Sequence, residues 1–342
     1  MHKLARAHLM DVIEQFESEA KGRGGSVVLP EGCDTRVLRA ARRLADEELA
    51  LPILLGAPDE ITQAALVAGI TLDGIEQRRP SSDPDLAVFA SHIEKAREKM
   101  SADMAERLML RPLYFGGMMV AQGQADTMVA GVAIPTRRVI EAGMMTVGLA
   151  EGINTPSSFF LMVVPNFLGQ GPKSFIFADC GFNVEPTSEE LADIALASAA
   201  SATELLPEPP RVAMLSFSTQ GSASHPRIDK VTKALELART RAPALLIDGE
   251  FQADTALTPA VASAKLKGTS TVAGRANVLV FPDLDSGNIA YKLTQYMAGA
   301  RAIGPVLQGF NAPICDLSRG ASVEDIVAAT VVGLRRARHG QG

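Results

Sequence analysis

The residues best equipped for chemistry in this sequence of 342 residues gather near its carboxyl end, in Asp316-Leu317-Ser318-Arg319-Gly320. The Arg319 guanidinium is a planar fork of donors, able to hold an anionic oxygen pair through two parallel hydrogen bonds. The Ser318 hydroxyl can donate to an oxyanion as it develops. Behind this loop a long helix is expected from about Val323. Asp325 follows Ser318 by seven residues, and Ser322-Val323-Glu324-Asp325 has the spacing of a capping box, with an acid at the third helical position. An acid there also suits the positive end of the helix, so Asp325 reads locally as a cap. Arg335, Arg336 and Arg338 complement the opposite end of the same helix.

Three further segments could carry a site. Ser216-Phe217-Ser218-Thr219-Gln220-Gly221-Ser222 follows a strand and precedes a helix that includes 228 to 237. Its hydroxyls and glycine could present donors to a phosphate, or simply cap the helix. In Asp283-Leu284-Asp285-Ser286-Gly287-Asn288, Asn288 shares a helical face with Lys292, four residues on. The two acids there supply no complete ligand set, so no metal is expected. Cys180 follows a strand, but a Cys-His pair would need His92 or His225 brought to it, and covalent catalysis is not expected.

Stepping from these residues to the elements that must hold them, Ser26-Val27-Val28-Leu29-Pro30 is a short β-branched run, followed by a helix over about 35 to 48. Leu51-Pro52-Ile53-Leu54-Leu55-Gly56 repeats the pattern. An amphipathic helix is expected over about 3 to 22, one or two helices over 86 to 110, and strands at 126–132, 159–164, 174–178, 211–217, 244–248 and 278–281. Alternation of this kind implies parallel pairing and two doubly wound α/β domains, whose ligands bind beyond the carboxyl ends of the strands. The small-residue stretch 148–156 marks the crossing between them.

Composition narrows the function. Thirty-three Lys and Arg against 39 Asp and Glu give a formal net charge of -6, with no basic stripe for a nucleic acid. Trp is absent and aromatics are 5% of residues, which disfavours stacking on single strands. No apolar run of about eighteen residues occurs, and Met1-His2-Lys3-Leu4-Ala5-Arg6 lacks the apolar core of a secretory signal, so a cytoplasmic protein without membrane partners is expected. Cys33, Cys180 and Cys315 lie too far apart in sequence to suggest zinc or a disulfide framework.

Seven collinear segments together resemble the phosphate acetyltransferase and phosphate butyryltransferase family. They are Val28-Leu29-Pro30-Glu31-Gly32, Pro112-Leu113-Tyr114-Phe115, Phe177-Ala178-Asp179-Cys180, the run from Met214 through Ser218-Thr219-Gln220-Gly221 to Ala223, Ile247-Asp248-Gly249-Glu250, Phe281-Pro282-Asp283-Leu284 with Gly287-Asn288-Ile289-Ala290-Tyr291-Lys292, and Asp316-Leu317-Ser318-Arg319-Gly320. The resemblance implies a fold similar to the isocitrate and isopropylmalate dehydrogenases, with an interdomain cleft. Residues 1–150 with 308–342 would form one domain and 151–307 the other.

It also implies a homodimer that transfers an acetyl group between acetyl phosphate and coenzyme A, a substrate, with no cofactor or metal. Asp325 would deprotonate the thiol, Ser318 stabilise the carbonyl oxygen and Arg319 position the phosphoryl end. Ser218, Thr219, Gly221, Asn288, Tyr291, Lys292 and Gln308 would bind substrate. A propionyl or butyryl transferase, or a member that only senses acyl-CoA, are the alternatives. The sequence departs from the family at Glu141, where an arginine is usual. Arg137 and Arg138, four and three residues earlier, share its helical face and are expected to neutralise it and replace the missing guanidinium. A second family arginine has Lys95 or Arg97 as its nearest counterpart.

Overall fold

Eleven strands form one continuous sheet in the computed structural model, which describes residues 12–339. In chain order the strands are β1 (Ser26–Leu29), β2 (Leu51–Leu55), β3 (Glu76–Arg78), β4 (Thr127–Ala130), β5 (Ser157–Val164), β6 (Lys173–Ala178), β7 (Arg211–Leu215), β8 (Leu246–Phe251), β9 (Val278–Val280), β10 (Arg301–Gln308) and β11 (Ile314–Asp316). Their spatial order is β3-β2-β1-β4-β11-β10-β5-β6-β9-β7-β8. The helix expected over 3 to 22 is seen as α1 (Val12–Ala20), its beginning lying outside the described residues.

Two parallel runs, β3 to β11 and β6 to β8, are joined through β5 and β10, which pair antiparallel with each other and with their outer neighbours. Parallel pairing throughout, as the alternation implied, is therefore corrected at these two strands. The chain leaves the first run after α7 (Thr136–Thr146), crosses through 148–156 into β5, and returns when β11 pairs with β4. The last helix, α13 (Val323–His339), then packs its apolar residues with those of α2 (Thr35–Asp46).

The sheet carries helices on both faces, as its buried strands require. On one face Val27, Leu29, Phe159, Ile176, Val212 and Val280 pack with α2, α8 (Ser188–Leu205), α9 (Pro226–Arg241) and α13. On the other, Val28, Met128 and Ile314 pack with α6 (Pro112–Ala121) and α7. Phe160, Phe177, Leu279 and Phe281 pack there with α12 (Leu284–Ala298). The segment 86–110 divides into α4 (Leu86–Ala96) and α5 (Ala102–Met109), with Ser101 capping the second.

Three strands are absent from the sequence reading, each for a physical reason. β10 carries Gly304-Pro305 in its interior, residues that argue against a central strand. β3 is a three-residue polar edge, and β11 is equally short. The strand expected at 244–248 runs instead as β8 over Leu246–Phe251, continuing through Gly249 at φ 153°.

Candidate functional site

The carboxyl ends of β1, β4 and β11 lie side by side, because those strands are neighbours in the sheet. α2 leaves β1 toward one face and α7 follows β4 on the other. Neighbouring strand ends whose chains diverge to opposite faces open a crevice. Glu31, just past β1, fills part of it. Its Oε2 accepts from the Gly131 and Val132 N–H groups at 2.8 and 3.1 Å, and its Oε1 from Ala133 and Ile134 at 2.6 and 2.9 Å. A nest of successive backbone donors is thus closed by the protein's own carboxylate.

Arg36 ties this loop to the one after β11. Its Nη2 donates to the Val132 carbonyl at 2.9 Å, and its Nη1 to the carbonyls of Arg319 and Ala321 at 2.8 and 3.2 Å. Asp34 caps α2 through the Arg36 N–H and grips the same guanidinium at 2.9 Å. The side-chain hydrogen bond from Arg36 holds the Asp34 carboxyl below its ordinary range. No local pattern announces these roles, since they depend on strands that meet only in the sheet.

Asp316, the last residue of β11, is fully buried. Its Oδ2 accepts from the Thr136 hydroxyl at 2.5 Å, whereas Oδ1 has no hydrogen-bond partner among the described residues. Burial, aided by the charge of Glu31, pushes this carboxyl up to about 7. Gly131 at φ 110° allows the close approach: a Cβ there would sit 2.3 Å from Asp316 Oδ1.

Beyond Asp316 the chain turns outward, and Ser318, Arg319 and Gly320 are exposed. The Gly320 N–H donates to Ser318 Oγ at 3.1 Å, so the hydroxyl proton stays available to an outside acceptor. Asp325 sits at the start of α13, where Oδ2 accepts from the Ser322 N–H at 2.9 Å and the Ser322 hydroxyl at 3.0 Å. Ser322 Oγ in turn accepts from the Asp325 N–H at 3.2 Å. The cap anticipated from the spacing is therefore formed, and it uses one carboxylate oxygen. Oδ1 has no partner among the described residues.

Ser318 and Asp325 line one cavity of about 330 Å³. Its other walls come from the two joining strands, through Phe160 of β5 and Ala302 and Gly304 of β10, and from Tyr291, Lys292, Gln295 and Tyr296 of α12. Phe160 stacks on Tyr291 with ring centroids 4.0 Å apart. Lys292 Nζ donates to Asn288 Oδ1 at 3.2 Å, and Asn288 Nδ2 to the Cys180 carbonyl at 3.1 Å, which anchors the helix face to the end of β6. Tyr291 and Lys292 are thus brought to the Ser318 loop. Phe160, Gln295, Tyr296 and Gly304 were not singled out from sequence; Gln295 and Tyr296 lie four and five residues past Tyr291 on the same helix.

Other candidates lie elsewhere. Gln308 is buried, its Oε1 accepting from Ser201 at 3.0 Å and its Nε2 donating to Ser157 and Ser198 at 3.0 and 2.9 Å. That amide spends its hydrogen bonds on joining β5 and β10 to α8. Ser218 and Thr219 are buried too. The Ser218 hydroxyl and the Gly221 N–H both donate to Glu250 Oε1, at 2.7 and 2.9 Å, and Thr219 Oγ1 accepts from the Gln252 N–H at 3.0 Å. Neither the free anion loop nor the capping turn describes this segment, because Glu250 takes the donors and His225 caps α9. Asp283 caps α12 through the Ser286 N–H.

Arg137 and Arg138 pair with Glu141 at 3.0 and 3.2 Å, so the acid is neutralised by its own helix. Both arginines are exposed and, like Lys95 and Arg97, lie outside the cavity wall. Arg97 donates instead to the Met144 carbonyl. The guanidinium of Arg319 is not part of that wall either. Cys180 is buried, and burial pushes its thiol well above the ordinary range, which suits a packing residue.

A family model described as Phosphate acetyl/butaryl transferase matches residues 11–333. A phosphate acetyltransferase of Acetivibrio thermocellus is 42% identical over 332 residues, covering 96% of this chain and 99% of that protein. Among solved structures, a phosphotransacetylase from Streptococcus pyogenes superposes with a TM-score of 0.88 at 37% identity, covering 96% of this chain and 98% of that one. A 4-hydroxythreonine-4-phosphate dehydrogenase from Salmonella typhimurium, 14% identical with a TM-score of 0.52 over 91% of this chain and 99% of that one, shares the fold. Among the described residues no helix is long and apolar enough to cross a membrane.

Proposed function

This chain belongs to the phosphate acetyl- and butyryltransferase family and is a transferase, and we propose from that premise that it interconverts acetyl phosphate and coenzyme A with acetyl-CoA and phosphate in the cavity beside Ser318 and Asp325. The observation that carries this reading is the paired availability of the Ser318 hydroxyl proton and Asp325 Oδ1 at one cavity, each held by a second contact.

Asp325 Oδ1 takes the thiol proton, and the thiolate sulfur attacks the acetyl carbonyl carbon. The new C–S bond replaces the C–O bond to phosphate, which leaves as inorganic phosphate. Ser318 donates to the carbonyl oxygen as it becomes an oxyanion. Arg319, outside the cavity wall, swings its guanidinium onto the phosphoryl oxygens, and Lys292 adds a second cation there. A general base of this kind contributes roughly 10² to 10⁴ in rate, one oxyanion donor roughly 10² to 10³, and holding both substrates together much of the remainder. The step balances without a redox cofactor or a metal.

Residues 1–150 with 308–342 and residues 151–307 are read as the units on either side of this cavity. The working molecule is read as a cytoplasmic homodimer. Ile289, Leu293, Tyr296 and Met297, all exposed, form one stripe along α12 at helical spacing, a surface suited to a second copy. The test of function is thioester formation from coenzyme A with acetyl, propionyl or butyryl phosphate. The reading expects the highest kcat/KM for acetyl phosphate. A preference for a longer acyl group would move the activity within the family, and no thioester with any of the three would contradict the reading.

A further inference from the structure

A second crevice opens in the other run of strands. β9 lies between β6 and β7. α9, which follows β7, packs Val231, Ala234 and Leu235 on one face of the sheet, whereas α12, which follows β9, packs Ala290 and Tyr291 on the other. The chain therefore diverges from neighbouring carboxyl ends, the arrangement that makes a ligand crevice in open α/β sheets. A cavity of about 380 Å³ occupies this place, within the size range of small-molecule sites. It shares no lining residue with the cavity of Ser318 and Asp325.

Its walls combine two chemistries. Leu215, Phe281 and Pro282 give an apolar floor, and Phe217 stands at the rim with 57% of its surface exposed. Arg227 and Lys230, three apart on α9 and so on one face, also line the cavity. Lys230 is half-buried and donates one of its protons to the Pro282 carbonyl at 2.8 Å. Burial lowers the pKa of this lysine, and the charge of Arg227 adds to that, against the acids Asp283, which also lines the cavity, and Glu185. Asp283 is already engaged in capping α12, and its ion pair with Arg227 is long, at 3.9 Å.

We propose that this crevice is a second ligand site, which takes a small organic phosphate monoester. The dianionic headgroup lies between Arg227 and Lys230, and the apolar body lies against Leu215, Phe217 and Phe281.

The test is calorimetric titration of the full-length protein with phenyl phosphate, with inorganic phosphate as comparison, in saturating coenzyme A. Phenyl phosphate is expected to bind more tightly than phosphate. The Arg227→Gln/Lys230→Gln double variant should weaken it at least about tenfold, since two charge-assisted contacts are removed. Phe217→Ala should weaken phenyl phosphate severalfold and leave phosphate unchanged. Acyl transfer at saturating substrate should persist in the double variant, which also shows that it folds. Binding abolished by coenzyme A, binding equal in the double variant, or no binding at millimolar concentration would each overturn the proposal. Loss of acyl transfer in the double variant would also overturn it, because the crevice would then serve the catalytic site.

Discussion

At the scale of single residues, Asp325 forms a helix cap with one carboxylate oxygen, which leaves the other for the proposed role as base. Ser322 engages Oδ2 twice, which fixes the group on the helix and leaves Oδ1 outward. Ser322→Ala should therefore lower stability by about 1 kcal/mol, the usual worth of an N-cap. It should also lower kcat, because the proposed base loses one of the two contacts that hold it while the Ser322 N–H contact remains. Asp316 makes a different prediction. Its carboxyl titrates at about 7 in the folded protein against an ordinary 3.8. The native state then holds that proton more tightly than the unfolded chain, so stability falls as pH rises from about 4 to about 7. The group costs on the order of 4 kcal/mol at alkaline pH. Asp316→Asn should flatten this slope in urea unfolding at pH 5 and pH 8; an unchanged slope would remove Asp316 as its source. The cap at Asp325 was legible because its partners are three residues apart. The orphan oxygen of Asp316 was not, since it depends on burial and on the approach of Gly131.

At the scale of elements, two long-range clamps hold the loops that frame the site. Arg36 spans α2, the loop after β4 and the loop after β11. Arg36→Ala should release the Ser318 loop and lower kcat/KM by roughly 10²-fold, the order expected when a reacting group is misplaced by about 1 Å. Arg36→Lys should recover little of this, because one ammonium cannot reproduce the fork that meets three carbonyls. Circular dichroism of both variants separates a displaced loop from a lost fold. The helices over 35 to 48, over 86 to 110 and from Val323 are legible from apolar spacing, and the last also from its cap, whereas α6 and α8 are not marked out individually. The clamps are not legible in the sequence because Glu31 and Gly131 are 100 residues apart and meet only when β1 pairs with β4. β10 is not legible either, because Gly304 and Pro305 interrupt it.

At the scale of the whole molecule, strand alternation gave the doubly wound character of each run but not their fusion. Fusion depends on β5 and β10, whose antiparallel pairing leaves no local signature. Their ends bring α12 against the Ser318 loop, so the cavity exists only because both runs share one sheet. The exposed stripe of α12 makes a prediction at this scale. Leu293→Glu with Met297→Glu should convert a dimer to a monomer in sedimentation velocity. Wild-type protein that sediments as a monomer would remove the proposed interface. The proposed transfer depends on a base and a hydroxyl acting at one cavity, and its most direct test is the steady-state rate of acetyl-CoA formation by Asp325→Asn at saturating acetyl phosphate and coenzyme A. A fall in kcat of roughly 10² to 10⁴ with the fold intact is the result expected; a rate within a few-fold of the unaltered protein would contradict the assignment.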